Sequence, residues 1–131
     1  MILGVKNTDV EAHRYKDDAI KGMSMNIDLR EVTVNKKDIE VKFSYTIIYD
    51  KEVGMMRVDG VIYAQEDLKK AKEISDAWKQ QKLPPEFAEA IINTINYSSG
   101  TEGTFIARPL NLAPPLVPPK VEVTKAKGKK R

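Results

Sequence analysis

The sequence predicts an α+β fold in which a four-stranded antiparallel sheet, arranged as a meander, is followed by two helices. Three observations predict it. Apolar and polar residues alternate along most of the first 65 residues, which is typical of strands with one buried face. After residue 65 the apolar spacing changes to three and four, which is typical of amphipathic helices. Five of the seven prolines then fall beyond residue 108, so the end of the chain is predicted to be neither a regular helix nor a central strand.

The first two strands are predicted over residues 2–15 and 23–34, with a loop between them. In the second strand the apolar residues occupy odd positions as far as Leu29 and even positions from Val32 onward. One extra residue explains the change, because a slip of one residue reverses which side chains face inward. We therefore expect a β-bulge near residues 30–31.

The third and fourth strands are predicted over residues 39–50 and 55–65. Apolar side chains occupy every odd position from 39 to 49, which is the strongest strand signal in the sequence. Residues 35–38 (Asn-Lys-Lys-Asp) resemble a guanine-binding box, but no phosphate-binding glycine loop accompanies them, so a hairpin turn is expected. Gly60 marks either a bulge or a close approach of another segment.

The two helices are predicted over residues 67–81 and 85–99. Amphipathic spacing among lysines and glutamates indicates the first, and Pro84 and Pro85 begin the second, since proline is tolerated in a first helical turn. Gly100 is expected to end the second helix as a C-cap. A proline-rich strap is expected over residues 103–119.

Charge divides the chain into a domain over residues 1–119 and a basic tail over residues 120–131. The tail holds six cations and one acid, a net charge of +5, and because the whole chain carries +3 the domain carries −2. A slightly acidic domain lacks the basic face of a nucleic-acid-binding fold, so only the tail is expected to contact RNA or another acidic surface. The six cations are Lys120, Lys125, Lys127, Lys129, Lys130 and Arg131.

The amino-acid composition excludes most classes of catalytic site. The chain has no cysteine, which excludes disulfides, thiolate metal sites and cysteine nucleophiles, and His13 is its single histidine. The acidic pairs at 17–18 and 66–67 lie at element boundaries, without the apolar setting that acid–base catalysis by two carboxyl groups needs. We expect no enzyme activity, no cofactor and no metal site.

The expected location is the cytoplasm. No apolar run approaches the ~20 residues that span a bilayer. The apolar stretch at the beginning of the sequence is too short for a signal peptide and is soon followed by acidic residues.

The predicted sheet has more apolar surface than two helices can cover. The neighbouring pairs at 47–48 and 55–56 are both apolar, which places apolar groups on both faces of the sheet. Helices cover one face, so a second subunit or a bound ligand is expected on the remainder. The alternative is that the proline-rich strap covers this area within one chain.

The segment after the second helix resembles a known family. Gly103-Thr104-Phe105, followed by residues 110–114 (Leu-Asn-Leu-Ala-Pro), is similar to the C-terminal signature of SecB, the bacterial export chaperone. The order of elements agrees, since four antiparallel strands precede the helices in that family. The resemblance covers residues 2–119 and implies tetramers built as dimers of dimers. It also implies ATP-independent binding of unfolded chains along apolar grooves, with protein export as one role.

The resemblance also implies candidate sites, although each of these residues could instead be plain core. Methionine suits client binding because its flexible thioether repacks against many shapes. The candidate client-binding residues are Ile48, Met56, Val58 and Ile62 on the sheet and Leu110, Leu112 and Leu116 on the strap. The candidate oligomer contact consists of Phe87, Ile91 and Ile95.

Two functional hypotheses therefore remain open. The first is a SecB-like holdase, cytoplasmic and oligomeric, that keeps nascent or unfolded chains from aggregating. The second is an interaction module that its basic tail tethers to the ribosome, another RNA or acidic lipid. The basic tail would repel the partner surface that docks the acidic tail of the bacterial chaperone, so binding to an export motor is not carried over.

Overall fold

The structure, a computed structural model, describes residues 1–115, and residues 116–131 lie outside it. Four strands precede two helices, so the predicted fold class is confirmed. Short 3₁₀ turns follow β3 and α2. The elements are β1 (Ile2–Arg14), β2 (Met23–Asn35), β3 (Asp38–Tyr49), β4 (Gly54–Gln65), α1 (Leu68–Trp78) and α2 (Pro85–Ala107).

The strands form one antiparallel sheet in the order β1-β4-β3-β2. The last three strands are a meander joined by hairpins, as the sequence predicts. β1 does not extend that meander beside β2 but pairs with β4 at the other side of the sheet. The two edges of the sheet are therefore β1 and β2.

Bulges interrupt both edge strands. The predicted bulge in β2 is confirmed, since the register with β3 shifts between Leu29 and Glu31. β1 carries two further shifts, between Ile2 and Gly4 and between Asn7 and Asp9. Bulges of this kind bend an edge and limit pairing with other chains.

Gly60 lies where two segments approach closely, which confirms that prediction. A Cβ atom on Gly60 would lie 2.8 Å from the carbonyl oxygen of Lys6 and 2.8 Å from Cζ of Phe43. Contacts this short do not occur for real Cβ atoms, so β1 and the Phe43 ring need a glycine here.

The core lies between the two central strands and the helices. All six odd-numbered residues of β3 from Ile39 to Tyr49 are buried. α1 packs mainly against β2, and α2 packs against β1, β4 and β3. Asp67 caps α1 by accepting a 2.8 Å hydrogen bond from the Lys70 amide.

The predicted end of α2 at Gly100 is wrong. The helix continues through Gly100 and Gly103 to Ala107, so the first part of the predicted strap is helical. The left-handed conformation of a glycine C-cap does not occur, because no glycine described has a positive φ. Gly103 is instead small for packing reasons: a Cβ there would lie 2.8 Å from Cγ of Pro115 and 3.1 Å from Sδ of Met56.

Candidate functional site

The helices bury the inward-facing apolar residues of the central strands, whereas the edge strands, which α1 and α2 also contact, are only partly covered. Every buried apolar residue of the sheet belongs to β3 or β4, and none belongs to β1 or β2. The inward-facing apolar residues of both edge strands are partly buried or exposed. Incompletely covered apolar residues therefore lie on the helix side at both edge strands, whereas the sequence analysis expected them on the face away from the helices.

The margin along β2 is the longer row. Its apolar side chains share a face with the core of β3, because Met25 pairs with Ile47 and Ile27 pairs with Tyr45. Met25 is nevertheless 44% exposed, and Ile27 is partly buried. We call the row the β2 margin; it consists of Met23, Met25, Ile27, Leu29, Val32 and Val34.

The outer edge of β2 adds backbone groups to this margin. No strand within residues 1–115 pairs with that edge. The residues before the bulge, 23–29, form a regular run in register with β3. An extended chain can therefore hydrogen-bond to this edge and place alternate side chains on the β2 margin.

β1 is a poorer docking edge than β2. Its inward-facing Val10 is exposed, and Val5 and Ala12 are partly buried. The shifts at 2–4 and 7–9 break its pairing register into short runs. The longest regular run of β1 is residues 9–14, and its inward-facing apolar residues are only Val10 and Ala12.

The sheet face away from the helices is largely polar. Arg57 lies at its centre, with Nη2 3.7 Å from carboxylate oxygens of both Asp9 and Glu11 and Nε 3.4 Å from Oδ2 of Asp59. The hydroxyl of Ser44 donates a 2.6 Å hydrogen bond to Oδ1 of Asp59. Sequence analysis missed this network, although its members sit at the polar positions of the alternating strands. Paired charges of this kind make a hydrated surface that apolar chains would not prefer.

The predicted placement of Met56, Val58 and Ile62 on an open groove is wrong. All three are fully buried beneath the helices. The prediction assumed that odd-numbered residues face the core in β4 as they do in β3. In the sheet, even-numbered residues of β4 pair with odd-numbered residues of β3 and therefore share the core face. Ile48 does face away from the helices, beside Met55, and is 46% exposed.

The strap residues of the predicted site lie at the edge of the core. Leu112 is buried against Gly54, and Leu110 is partly buried. Leu116 lies outside the described residues. The Tyr49 hydroxyl donates a hydrogen bond to the Ala113 carbonyl, which holds the strap on β3.

Tyr49 makes stability sensitive to alkaline pH. Burial, with a smaller contribution from nearby Tyr45, raises the pKa of Tyr49 to about 12, and burial also raises the pKa of Tyr45. An unfolded tyrosine ionises near pH 10. The free energy of unfolding is therefore expected to be unaffected below pH 10 and to fall by up to about 2–3 kcal/mol as pH rises to 12.

Urea titrations between pH 9 and pH 11.5 measure this loss, with Tyr49→Phe as the comparison. The variant lacks the titrating hydroxyl, so its midpoint is expected to fall less steeply over that interval. Equal slopes for the two proteins would show that Tyr49 is not the group responsible.

The predicted oligomer residues are core residues of a single chain. Phe87, Ile91 and Ile95 belong to α2 and are buried. The outward side of α2 carries Tyr97, 70% exposed, and Phe105, 64% exposed. The predicted dimer or tetramer, which light scattering would test, would therefore use this outward side rather than those three residues.

The outward side of α2 is less polar than its sequence indicates. The hydroxyls of Thr94 and Thr101 each donate a 2.7 Å hydrogen bond to the carbonyl four residues earlier. Both hydroxyls are thus already satisfied within the helix. No charged residue lies between positions 90 and 101.

Other features offer little chemistry. His13 lies exposed on β1 and stacks on Tyr15 with ring centroids 5.7 Å apart. Within residues 1–115 no three histidine, aspartate or glutamate side chains are grouped to hold a metal ion. No helix in that range is long and apolar enough to cross a membrane.

A separate cavity of about 570 Å³ lies where the start of β1 meets both helices. Its floor is apolar, with Ile2, Ile74 and Phe87, and Glu73 and Glu86 are among its charged residues. No β2 residue lines it, so it is distinct from the β2 margin.

The six tail cations predicted to contact RNA lie outside the described residues, and that role stays a prediction.

Comparison with known proteins gives a likeness of fold. No family model matches the chain, and no curated protein matches it. Among solved structures, the chain superimposes with a TM-score of 0.63 on the Rv1957 SecB-like chaperone of Mycobacterium tuberculosis, which is in complex with a ChAD peptide from the Rv1956 HigA1 antitoxin. The likeness covers 93% of this chain and 87% of that chain, at 10% sequence identity.

The fold is SecB-like. The resemblance seen in the sequence is thereby confirmed for the fold. At 10% identity the likeness carries no site residue from one chain to the other. Within this fold, the β2 margin is the candidate site, on the evidence of the exposure of Met25 and of the unpaired β2 edge within residues 1–115.

Proposed function

We propose that the protein is an ATP-independent chaperone of the holdase type, which binds extended segments of unfolded polypeptides along the β2 margin. The observation that carries the proposal is the incompletely buried apolar row of β2, 44% exposed at Met25, beside a strand edge with which no strand of residues 1–115 pairs. The SecB-like fold, found in a chaperone that holds a peptide, supports it.

The margin matches what an unfolded chain offers. Such a chain exposes backbone donors and acceptors together with scattered apolar side chains. Pairing with β2 satisfies the backbone, and alternate side chains reach Met23, Met25 and Ile27. Two methionines among these three let the surface adapt to different clients.

Binding of this kind needs no chemical step. Burial of apolar area stabilises the complex by about 25 cal/mol per Å². Occupying the unfolded state keeps it from aggregating through mass action alone. The proposed activity is therefore suppression of aggregation at chaperone concentrations comparable to those of the client.

Two matched lysine substitutions test the site. Met25→Lys and Ile48→Lys replace side chains of similar exposure on opposite faces of the sheet, 44% and 46% exposed. Affinity for a fluorescent, unstructured peptide rich in leucine and phenylalanine is measured by anisotropy, and aggregation of a denatured client by light scattering. Met25→Lys is expected to weaken peptide binding about tenfold or more, because a charge on the margin must be desolvated.

Ile48→Lys is expected to leave affinity within about twofold of the original protein. The opposite pattern would move the site to the polar face of the sheet. Absence of peptide binding and of aggregation suppression in the unmodified protein would end the chaperone proposal.

A further inference from the structure

Another cavity, of about 580 Å³, lies where the loop between β1 and β2 meets the end of α2 and the strap. Its volume is within the range of about 300–1000 Å³ that is typical of small-ligand sites. No β2 residue lines it, so it is distinct from the β2 margin. We call it the strap cavity; its apolar lining is aliphatic and consists of Ala19, Ile20, Ala107, Leu112, Ala113 and Pro114.

The charged residues that line the strap cavity have one sign. They are Arg14 and Arg108, and no acidic side chain of residues 1–115 lines the cavity with them. Two other cavities combine both signs: the one beside the start of β1 has glutamates with Lys70, and one of about 460 Å³ has Arg30 with Asp59. The strap cavity therefore favours an anion.

Arg14 is held at the wall of the cavity by backbone carbonyl groups. Its Nη1 donates hydrogen bonds to the carbonyl oxygens of Leu110 (3.3 Å) and Asn111 (2.7 Å), and its Nη2 donates to that of Asp18 (2.9 Å). The side chains of Asp17 and Asp18 are exposed and do not line the cavity. Because these acceptors are neutral, the charge of Arg14 is fixed in place without being paired, and two of its five N–H donors remain.

Arg108 is the cation available to a ligand. Its side chain is exposed and makes no hydrogen bond or ion pair with any residue in the described part of the chain. The planar guanidinium matches the two oxygens of a carboxylate, to which it can donate two parallel hydrogen bonds. Asn111, which also lines the cavity, adds a side-chain amide donor.

The carbonyl groups at the end of α2 are already engaged. A helix C-terminus carries partial negative charge, which repels an anion. Here the Ala107 carbonyl accepts a 3.0 Å hydrogen bond from the Leu112 amide, and the Arg108 carbonyl accepts one of 3.1 Å from the Asn111 amide. The next two carbonyls, of residues 110 and 111, accept from Arg14. Donors thus offset the negative end of the helix beside the cavity.

We propose that the strap cavity binds a small aliphatic carboxylate, with the carboxylate on Arg108 and the aliphatic chain against Ile20 and Leu112. The arginines select the anion through charge-assisted hydrogen bonds. The aliphatic lining selects a chain that gains by leaving water. This site does not depend on the proposed function, because no residue of the β2 margin takes part in it.

Titration calorimetry of the full chain with octanoate and with 1-octanol tests the ligand class. Octanoate is a straight-chain carboxylate, and 1-octanol is the uncharged alcohol of the same length. We expect octanoate to bind at least about tenfold more tightly, because only the anion makes charge-assisted hydrogen bonds with a guanidinium. Equal affinities, or no binding of octanoate at millimolar concentration, would overturn the proposal.

Arg108→Ala tests the carboxylate contact. It is expected to weaken octanoate binding about tenfold or more and to leave the fold intact, since the side chain has no polar partner in residues 1–115. Lys82→Ala is the control, because it removes the same charge from an exposed position between α1 and α2 that lines none of these cavities. We expect the control to stay within about twofold of the original protein. An unchanged affinity in Arg108→Ala would overturn the proposal.

Thr104→Glu tests the place of the site, because it puts a carboxylate on the lining of the cavity. Thr94→Glu makes the same change on α2 away from the cavity, and each threonine hydroxyl donates to the carbonyl four residues earlier. Thr104→Glu is expected to weaken octanoate binding about tenfold by repulsion of like charges, and Thr94→Glu to change it less than about twofold. Equal effects of the two variants would overturn the assigned place.

The strap cavity and the β2 margin are separated by one more variant. Met25→Lys is expected to weaken peptide binding but to leave octanoate affinity within about twofold. Loss of octanoate binding in Met25→Lys, with none in Arg108→Ala, would place the ligand on the β2 margin and overturn the inference. Octanoate binding that depends on Arg108, in a protein that binds no peptide, would retain the inference and overturn the proposed function.

Discussion

Replacing Phe43 by alanine is expected to lower the free energy of unfolding by about 3–5 kcal/mol. The ring is buried at the centre of β3, beneath the helices and against Gly60. Its removal forfeits transfer free energy and leaves a cavity that the neighbouring strands cannot close. Because small domains are stable by only about 5–15 kcal/mol, urea denaturation should detect a large loss.

The control is Phe105→Ala, the same chemical change on the outward side of α2. Phe105 is 64% exposed, so its replacement is expected to change stability by less than about 0.5 kcal/mol. Similar losses for the two variants would mean that Phe105 is buried in solution, as a subunit contact on α2 would require.

Gly60→Ala is the second large effect, with an expected loss of about 1–3 kcal/mol. The new methyl group would meet the Lys6 carbonyl oxygen, a backbone atom of β1, and the edge of the Phe43 ring. Either β1 separates from β4 or the ring leaves its position, and both changes cost packing.

Gly4→Ala is the matched control for Gly60→Ala. Both glycines lie in paired strands, but a Cβ on Gly4 would have no neighbour within 4 Å. Alanine there is expected to be neutral or to stabilise by up to about 1 kcal/mol, because glycine loses more backbone entropy on folding. A destabilising Gly4→Ala with a neutral Gly60→Ala would contradict the described β1–β4 packing.

Local patterns predicted the strands and the bulge in β2. The alternation from 39 to 49 follows directly from one buried face, and the shift after Leu29 is a local property of one strand. The end of α2 was not predictable in this way. Gly100 and Gly103 are typical of a helix terminus, and only the packing of Pro115 and Met56 explains a glycine inside the helix.

The place of the candidate site depends on contacts that one strand cannot reveal. The turn after Tyr49 sets the register of β4, and this register puts Met56 in the core and Met55 on the opposite face. The partner of β1 is likewise set by the whole sheet. Sequence analysis therefore predicted excess apolar sheet but assigned it to the wrong residues, and it did not single out Met25 or Ile27.

The methionines allow the most direct test of the β2 margin as the polypeptide-binding site. The five methyl groups sample different environments: Met23 and Met25 on the margin, Met55 on the polar face, Met56 in the core and Met1 at the beginning of β1. Titration of ¹³C-methyl-labelled protein with the leucine- and phenylalanine-rich peptide is predicted to shift the Met23 and Met25 resonances and to leave Met55 in place. A shift at Met55 with unchanged Met23 and Met25 would contradict the account.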